Sequence, residues 1–326
     1  MTGTTNQSVI RQKKRRPVRA VLISAAVLLV LLLAACQTVT AILYSQNFDV
    51  RFDGSGTFAI SDFSNLEYQT VSFPSDKGQM LHGDFIWDMD LREHKAVIVV
   101  NHGFGGGGYH WYLDQIDLLA RNGYLIFAFD KTGNDGSEGE SVNGLAQGVI
   151  DLQAALGVVR TEERSRDLPI FLYGHSWGGF SSCAVLEYED DIEAVVSFSG
   201  FNQSKDMLID QGVSMYGGMV RLMSPFLTVC DLYRFGSHAF DSSEKGLAAT
   251  RAEVLLFHSA DDPVINIRDS FDLYQEKLGG RTNLHFVRLD GKGHNVFNEA
   301  ESTALDMDVM AQVIEFYDGV LKRLEQ

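Results

Sequence analysis

Metal-binding signatures are missing from this 326-residue chain. Its three cysteines and nine histidines form no Cys-x-x-Cys or His-x-x-x-His pair. Bound transition metals need clustered nitrogen and sulfur ligands, so no metal is expected. Spacing leaves a Cys183–Cys230 disulfide open. Basic charge is scarce too: Lys and Arg number 27 against 43 Asp and Glu, a net charge of −16. So acidic a chain is a poor partner for nucleic acid. No internal repeat or low-complexity segment occurs.

Acids are absent from the first 48 residues, which carry six bases: Arg11, Lys13, Lys14, Arg15, Arg16 and Arg19. From Arg19 to Asp49 no charged residue of either sign intervenes. Ala20 to Leu43 thus offers about 24 uncharged, mostly apolar residues, enough to span a bilayer as a helix. Bases flank only the N-terminal side, so the N-terminus is expected in the cytoplasm and the rest outside it. Two other readings compete. Leu33-Ala34-Ala35-Cys36 looks like a bacterial lipobox, with cleavage before a lipidated Cys36, and a plain cleaved signal peptide fits as well. The long basic leader and the apolar run from Thr40 to Tyr44 favour the uncleaved anchor. The expected organisation is therefore a leader and anchor over 1–44, a spacer over 45–67, and one large domain over 68–326.

In that domain, apolar strand-like runs at 70–73, 83–87, 96–101, 124–129, 170–173, 194–199, 253–259 and 284–289 recur along the chain. From Ala96 on they alternate with helix-like segments. This pattern predicts an α/β fold, with a mostly parallel sheet covered on both faces. Residues 201–250 interrupt the alternation and read as an inserted helical cap. Its Met207, Met215, Met219 and Met223 are candidates either to line an adaptable acyl pocket or simply to pack the cap.

The most informative run is Ile170-Phe-Leu-Tyr-Gly174-His-Ser176-Trp-Gly178-Gly179. A short apolar strand ends in Gly-x-Ser-x-Gly and a helix follows, the context of a nucleophile elbow. Gly174 and Gly178 keep the turn free of side chains. Downstream, the strand 253–259 ends at Asp261-Asp262-Pro263, and the strand 284–289 gives way to Gly293-His294. Serine, then acid, then histidine is the order found in α/β-type serine hydrolases. Ser176 is the expected nucleophile, His294 its base, and Asp262, next to Pro263, the carboxylate that orients the imidazole. Asp261 is the competing choice.

A rival sits upstream. Gly103-x-Gly105-x-x-Gly108 follows the strand 96–101, and Asp130 lies about 20 residues on, as in a dinucleotide-binding fingerprint. An oxidoreductase would leave the serine, acid and histidine series unexplained. Used differently, the same loop places the Phe104 N–H beside the Trp177 N–H as two main-chain oxyanion donors. No cofactor is expected on that reading.

Asn101-His-Gly-Phe104, Asp130-Lys-Thr-Gly-Asn-Asp-Gly-Ser137, Gly174-His-Ser-Trp-Gly178, Ala260-Asp-Asp-Pro-Val264 and Gly293-His294 together resemble the α/β-hydrolase superfamily over residues 68 to 324. Esterases, monoacylglycerol-lipase-like proteins and serine aminopeptidase-like members share such segments. Lys131-Thr132 and Asn134-Asp135 depart from the usual residues of the second one. The resemblance implies a serine esterase or lipase-like enzyme acting on small-molecule acyl esters or peptide-like substrates. A peptidase or acyltransferase using the same three residues is the nearest alternative, and a non-catalytic binding domain the remotest.

Overall fold

A computed structural model describes residues 15–54 and 58–326. Arg11, Lys13 and Lys14 of the basic leader lie outside these residues.

Eight strands form one sheet: β1 (Leu66–Pro74), β2 (Met80–Asp88), β3 (Val97–Asn101), β4 (Leu125–Phe129), β5 (Ile170–His175), β6 (Ile192–Phe198), β7 (Glu253–Ser259) and β8 (Leu284–Leu289). Their order is β1-β2-β4-β3-β5-β6-β7-β8. The β1–β2 and β2–β4 pairs are antiparallel, and the rest of the sheet is parallel. Strands β3 and β4 are buried along their whole length, which explains their unbroken apolar sequence.

Side chains alternate across the sheet. Val97 and Val99 face one core with helices α3 (Gln147–Val159), α4 (Trp177–Ala184) and α8 (Phe271–Leu278). Ile98 and Val100 face the other with α2 (Leu113–Arg121) and α9 (Met307–Leu324). Asp306 caps α9 by accepting from the Asp308 and Val309 N–H groups. Between β6 and β7 lie α5 (Ser204–Tyr216), α6 (Ser224–Phe235) and α7 (Ser243–Ala249).

The first helix, α1, runs from Arg15 to Phe48. Its stretch Val18–Phe48, whose most apolar 18 residues have a mean hydropathy of 2.7, is long and apolar enough to cross a membrane. The helix runs past residue 44, the expected end of the anchor. Thr40, Tyr44 and Phe48 are buried against the domain, and the helix continues through residue 48. Residues within the expected spacer 45–67 contact the rest of the chain. Phe52 forms a β-bridge with Asn134, Arg51 donates to the Ser137 carbonyl at 2.7 Å, and β1 already begins at Leu66. These contacts join residues more than 80 positions apart, so local composition does not reveal them.

Both cysteines left open for a disulfide are free thiols. Cys183 is buried in α4, and Cys230 on α6 lies 3.4 Å from Gln37 Nε2 of α1.

Candidate active site

Four loops at the carboxyl edge of the parallel strands build the site, the usual place for ligands in an open α/β sheet. Ser176 stands between β5 and α4 with φ 53° and ψ −112°. A positive φ at a residue carrying Cβ is strained. Two main-chain bonds hold it: its N–H donates to the Phe198 carbonyl at 2.8 Å, and its carbonyl accepts from the Phe180 N–H at 2.9 Å. The flanking glycines are sterically required. A Cβ on Gly174 would lie 2.4 Å from the Gly178 oxygen, and one on Gly178 would lie 1.7 Å from the Asn101 oxygen. Since both obstacles are backbone, we expect Gly178→Ala to disrupt β3 and the elbow together. The variant should unfold many degrees below the parent in a thermal melt. An unchanged melting temperature would show that the turn relaxes freely.

His294 Nδ1 and Asp262 Oδ2 are 2.8 Å apart. Oδ1 of Asp262 accepts from the Val264 and Ile265 N–H groups at 2.8 and 3.0 Å, so Pro263 sits inside a turn that the carboxylate itself ties. Asp261 does something different. It accepts from the Ser259 hydroxyl and from the Gly291 and Gly293 N–H groups, holding the backbone of the histidine loop. His258 Nε2 also lies 3.2 Å from Asp262 Oδ2, without hydrogen-bond alignment. Burial pushes the Asp262 carboxyl up, but His258 and His294 beside it more than reverse this and hold it well below the usual carboxylate range. Ser176 and His294 line one cavity of about 300 Å³, together with Gly103, Phe104, Trp111, Tyr112, His175 and Phe297.

The glycine loop after β3 closes on protein. A Cβ on Gly108 would meet Asp130 Oδ1 at 1.7 Å, and Asp130 accepts from the Tyr109 and Gly136 N–H groups, both at 3.0 Å. Burial pushes this carboxyl up to about 6. Asp135 accepts from Gly54 and Gly108. The acid that a dinucleotide fingerprint would aim at a ribose is therefore stitched into the loop, with no open approach to it. The Phe104 ring packs against Trp177 at 5.7 Å and against Phe48 and Phe52 at 5.7 and 5.0 Å. Trp177 is the first residue of α4, so its N–H has no acceptor within the helix.

Three contributors have roles that the sequence does not disclose. His175 and Tyr112, 63 positions apart, form a chain across the site. The Gly103 N–H donates to the Tyr112 hydroxyl at 2.9 Å, Tyr112 meets His175 Nδ1 at 2.8 Å, and His175 Nε2 meets the His294 carbonyl at 3.3 Å. A neutral His175 with its proton on Nε2 satisfies every link. Lys131 is the third. It is wholly buried, donates to the His102 carbonyl, and sits 4.5 Å above the Trp177 ring. Burial depresses its ammonium well below the ordinary lysine range, against the pull of Asp151 and Asp130. His102 accepts from the Lys131 N–H at 3.0 Å, so the departure noted at position 131 is built into the support of the glycine loop.

His175 sets an acid sensitivity. Burial, and then the neighbouring His294, push its imidazole down to about 3. As pH falls below about 6.5, the unfolded chain takes up a proton that the folded one refuses. This contribution to stability is thus whole above that pH and shrinks as pH drops towards 3. For one such group the slope is up to about 1.4 kcal/mol per pH unit. We expect His175→Gln to flatten the fall in melting temperature between pH 7 and pH 4.5. Parallel curves for parent and variant would count against it.

The cap methionines do not line this cavity. Met207 is buried in the core, while Met215 and Met219 are exposed to solvent. Their spacing alone could not say which.

Residues 92–234 match the family described as serine aminopeptidase, S33. An uncharacterized Salmonella typhi protein, YfhR, is 27% identical over 258 residues, covering 72% of this chain and 80% of its own. A monoglyceride lipase of Rattus norvegicus is 30% identical over 175 residues, about half of each chain. An esterase of Pyrococcus furiosus superposes with a TM-score of 0.64 at 16% identity, covering 82% of this chain and 97% of the esterase. An acylaminoacyl peptidase of Pyrococcus horikoshii gives 0.58 at 18% identity, over 79% of this chain and 42% of the peptidase. The chain has the α/β-hydrolase fold, and residues 92–234 resemble a family of serine hydrolases. It is a serine hydrolase, and the fold expected from alternating strands and helices is the one found.

Proposed function

We propose that this α/β-hydrolase is a membrane-tethered, extracytoplasmic esterase using Ser176, His294 and Asp262. The observation that carries the reading is the 2.8 Å contact of His294 Nδ1 with Asp262, with Ser176 and His294 lining one cavity. Asp262 keeps the His294 proton on Nδ1 and so leaves Nε2 free as a base. Nε2 takes the Ser176 hydroxyl proton as Oγ bonds to the acyl carbon. The tetrahedral oxyanion is met by the Phe104 and Trp177 N–H groups. Collapse breaks the ester C–O bond, and His294 returns its proton to the leaving alcohol. A water, deprotonated by the same Nε2, then attacks the acyl carbon, the bond to Ser176 Oγ breaks, and His294 returns the proton to that oxygen.

A cavity of about 300 Å³ lies at the small end of ligand sites and supports acyl esters of modest size. Its Trp111, Tyr112 and Phe297 supply apolar walls. The long helix α1 supports the tether, and the acid-free leader supports export of the catalytic domain. The test is a fluorophosphonate probe together with matched ester and amide substrates of increasing acyl length. Turnover of short esters, with amides untouched, is expected. Amide cleavage outpacing ester cleavage would replace the esterase with a peptidase. Digestion of the domain by protease added to spheroplasts checks the side of the membrane.

A further inference from the structure

We propose that the tip of the α5–α6 hairpin, residues 215–223, is a second membrane contact that dips into the outer leaflet beside α1. The proposal rests on the membrane-tether reading and adds a surface to it.

Four observations carry it. First, α1 is exposed from Val18 through Ala35 and docks on the domain only from Cys36 onwards. Those 18 residues span about 27 Å as a helix, close to the thickness of a bilayer core. The docking site therefore begins at the outer edge of the lipid. Second, α6 lies along α1 in the same direction. Gln37 donates to the Phe226 carbonyl, Tyr44 to Asp231, and Arg234 to Ser45 and Asp49. The N-terminal end of α6 consequently points to the membrane, and the 3-10 turn Gly218–Met223 leads directly into that end. Third, that end is apolar and uncovered. Met215, Tyr216, Met219 and Leu222 are each at least two-thirds exposed. Fourth, from Gln211 to Cys230 only Arg221 is charged, a base suited to lipid phosphate. Apolar patches of this kind on soluble surfaces mark a missing partner. Here the continuity with α1 says which one. A lipidated Cys36 would stand at the same level, so the inference holds for either form of attachment.

The test uses the full chain in phosphatidylcholine liposomes. An environment-sensitive NBD dye is placed on Met219→Cys in a Cys36→Ala background, and on Asp167→Cys as an exposed site remote from the hairpin. Flotation reads the tether independently. With the protein floating, blue-shifted NBD emission at 219, quenched several-fold more by doxyl-labelled lipid than at 167, is the expected result. Floating protein with no lipid quenching at 219 overturns the tip contact and leaves the tether standing. A blue shift without lipid quenching means a second protein copy covers the tip, which also overturns it. Failure to float removes the tether, and the proposal with it.

Discussion

Ser176→Ala should lower ester turnover by about 10⁶-fold and end fluorophosphonate labelling, while the protein remains folded. The size follows from the nucleophile and base acting as a unit, so that losing one removes nearly all their joint effect. What survives is transition-state binding by main-chain donors, which the substitution does not touch. Alanine keeps the Cβ that serine already places at positive φ, so the strain of the elbow does not increase. The Ser176 hydroxyl has no protein hydrogen-bond partner among the described residues, so its loss costs little stability. Intact-mass analysis after probe treatment reads the result directly. An adduct of equal yield on another serine would remove Ser176 from the mechanism.

Much of this site is legible in the sequence because each part has a local cause. The strand before Ser176 is buried on both faces, so it reads as an unbroken apolar run. The turn after it leaves no room for side chains, so glycine marks both sides. The sequential order of serine, acid and histidine follows from strand order at one edge of the sheet. What could not be read depends on distant partners. Tyr112 and His175 look like ordinary aromatic residues until the fold brings them together. The run from Ala20 to Leu43 reads as an anchor, and nothing in it discloses that the last three turns of the helix pack on α6, some 190 positions away. The cap methionines suit burial, pocket lining and lipid contact equally, and only their exposure separates these uses. At the other edge, β4 enters between β2 and β3, which apolar periodicity cannot convey.

The choice between neighbouring aspartates is open to a sharper test. Asp262→Asn should reduce turnover by about 10⁴-fold, as loss of the orienting carboxylate does in serine proteases. An asparagine at 262 can keep accepting from the Val264 and Ile265 N–H groups through its oxygen, so the turn survives. Its amide then presents donors to His294 Nδ1. The imidazole proton is driven to Nε2, and the nitrogen facing Ser176 can no longer accept. Asp261→Asn removes charge from the contacts to Ser259, Gly291 and Gly293 without changing that tautomer. Its effect should stay within about tenfold, as for a position supported by exposed polar contacts. The acid limb of the pH profile adds a second reading. The Asp262 carboxyl is held low in the folded protein, so its share of stability is present above the unfolded value of about 3.9 and fades only as pH falls through the lower folded value. Activity lost between pH 7 and 5 therefore does not come from protonating Asp262. The comparison is made on folded protein, with melting curves run beside the kinetics. Should Asp261→Asn prove the more damaging of two folded variants, the orienting role passes to Asp261 and the contact at His294 is structural.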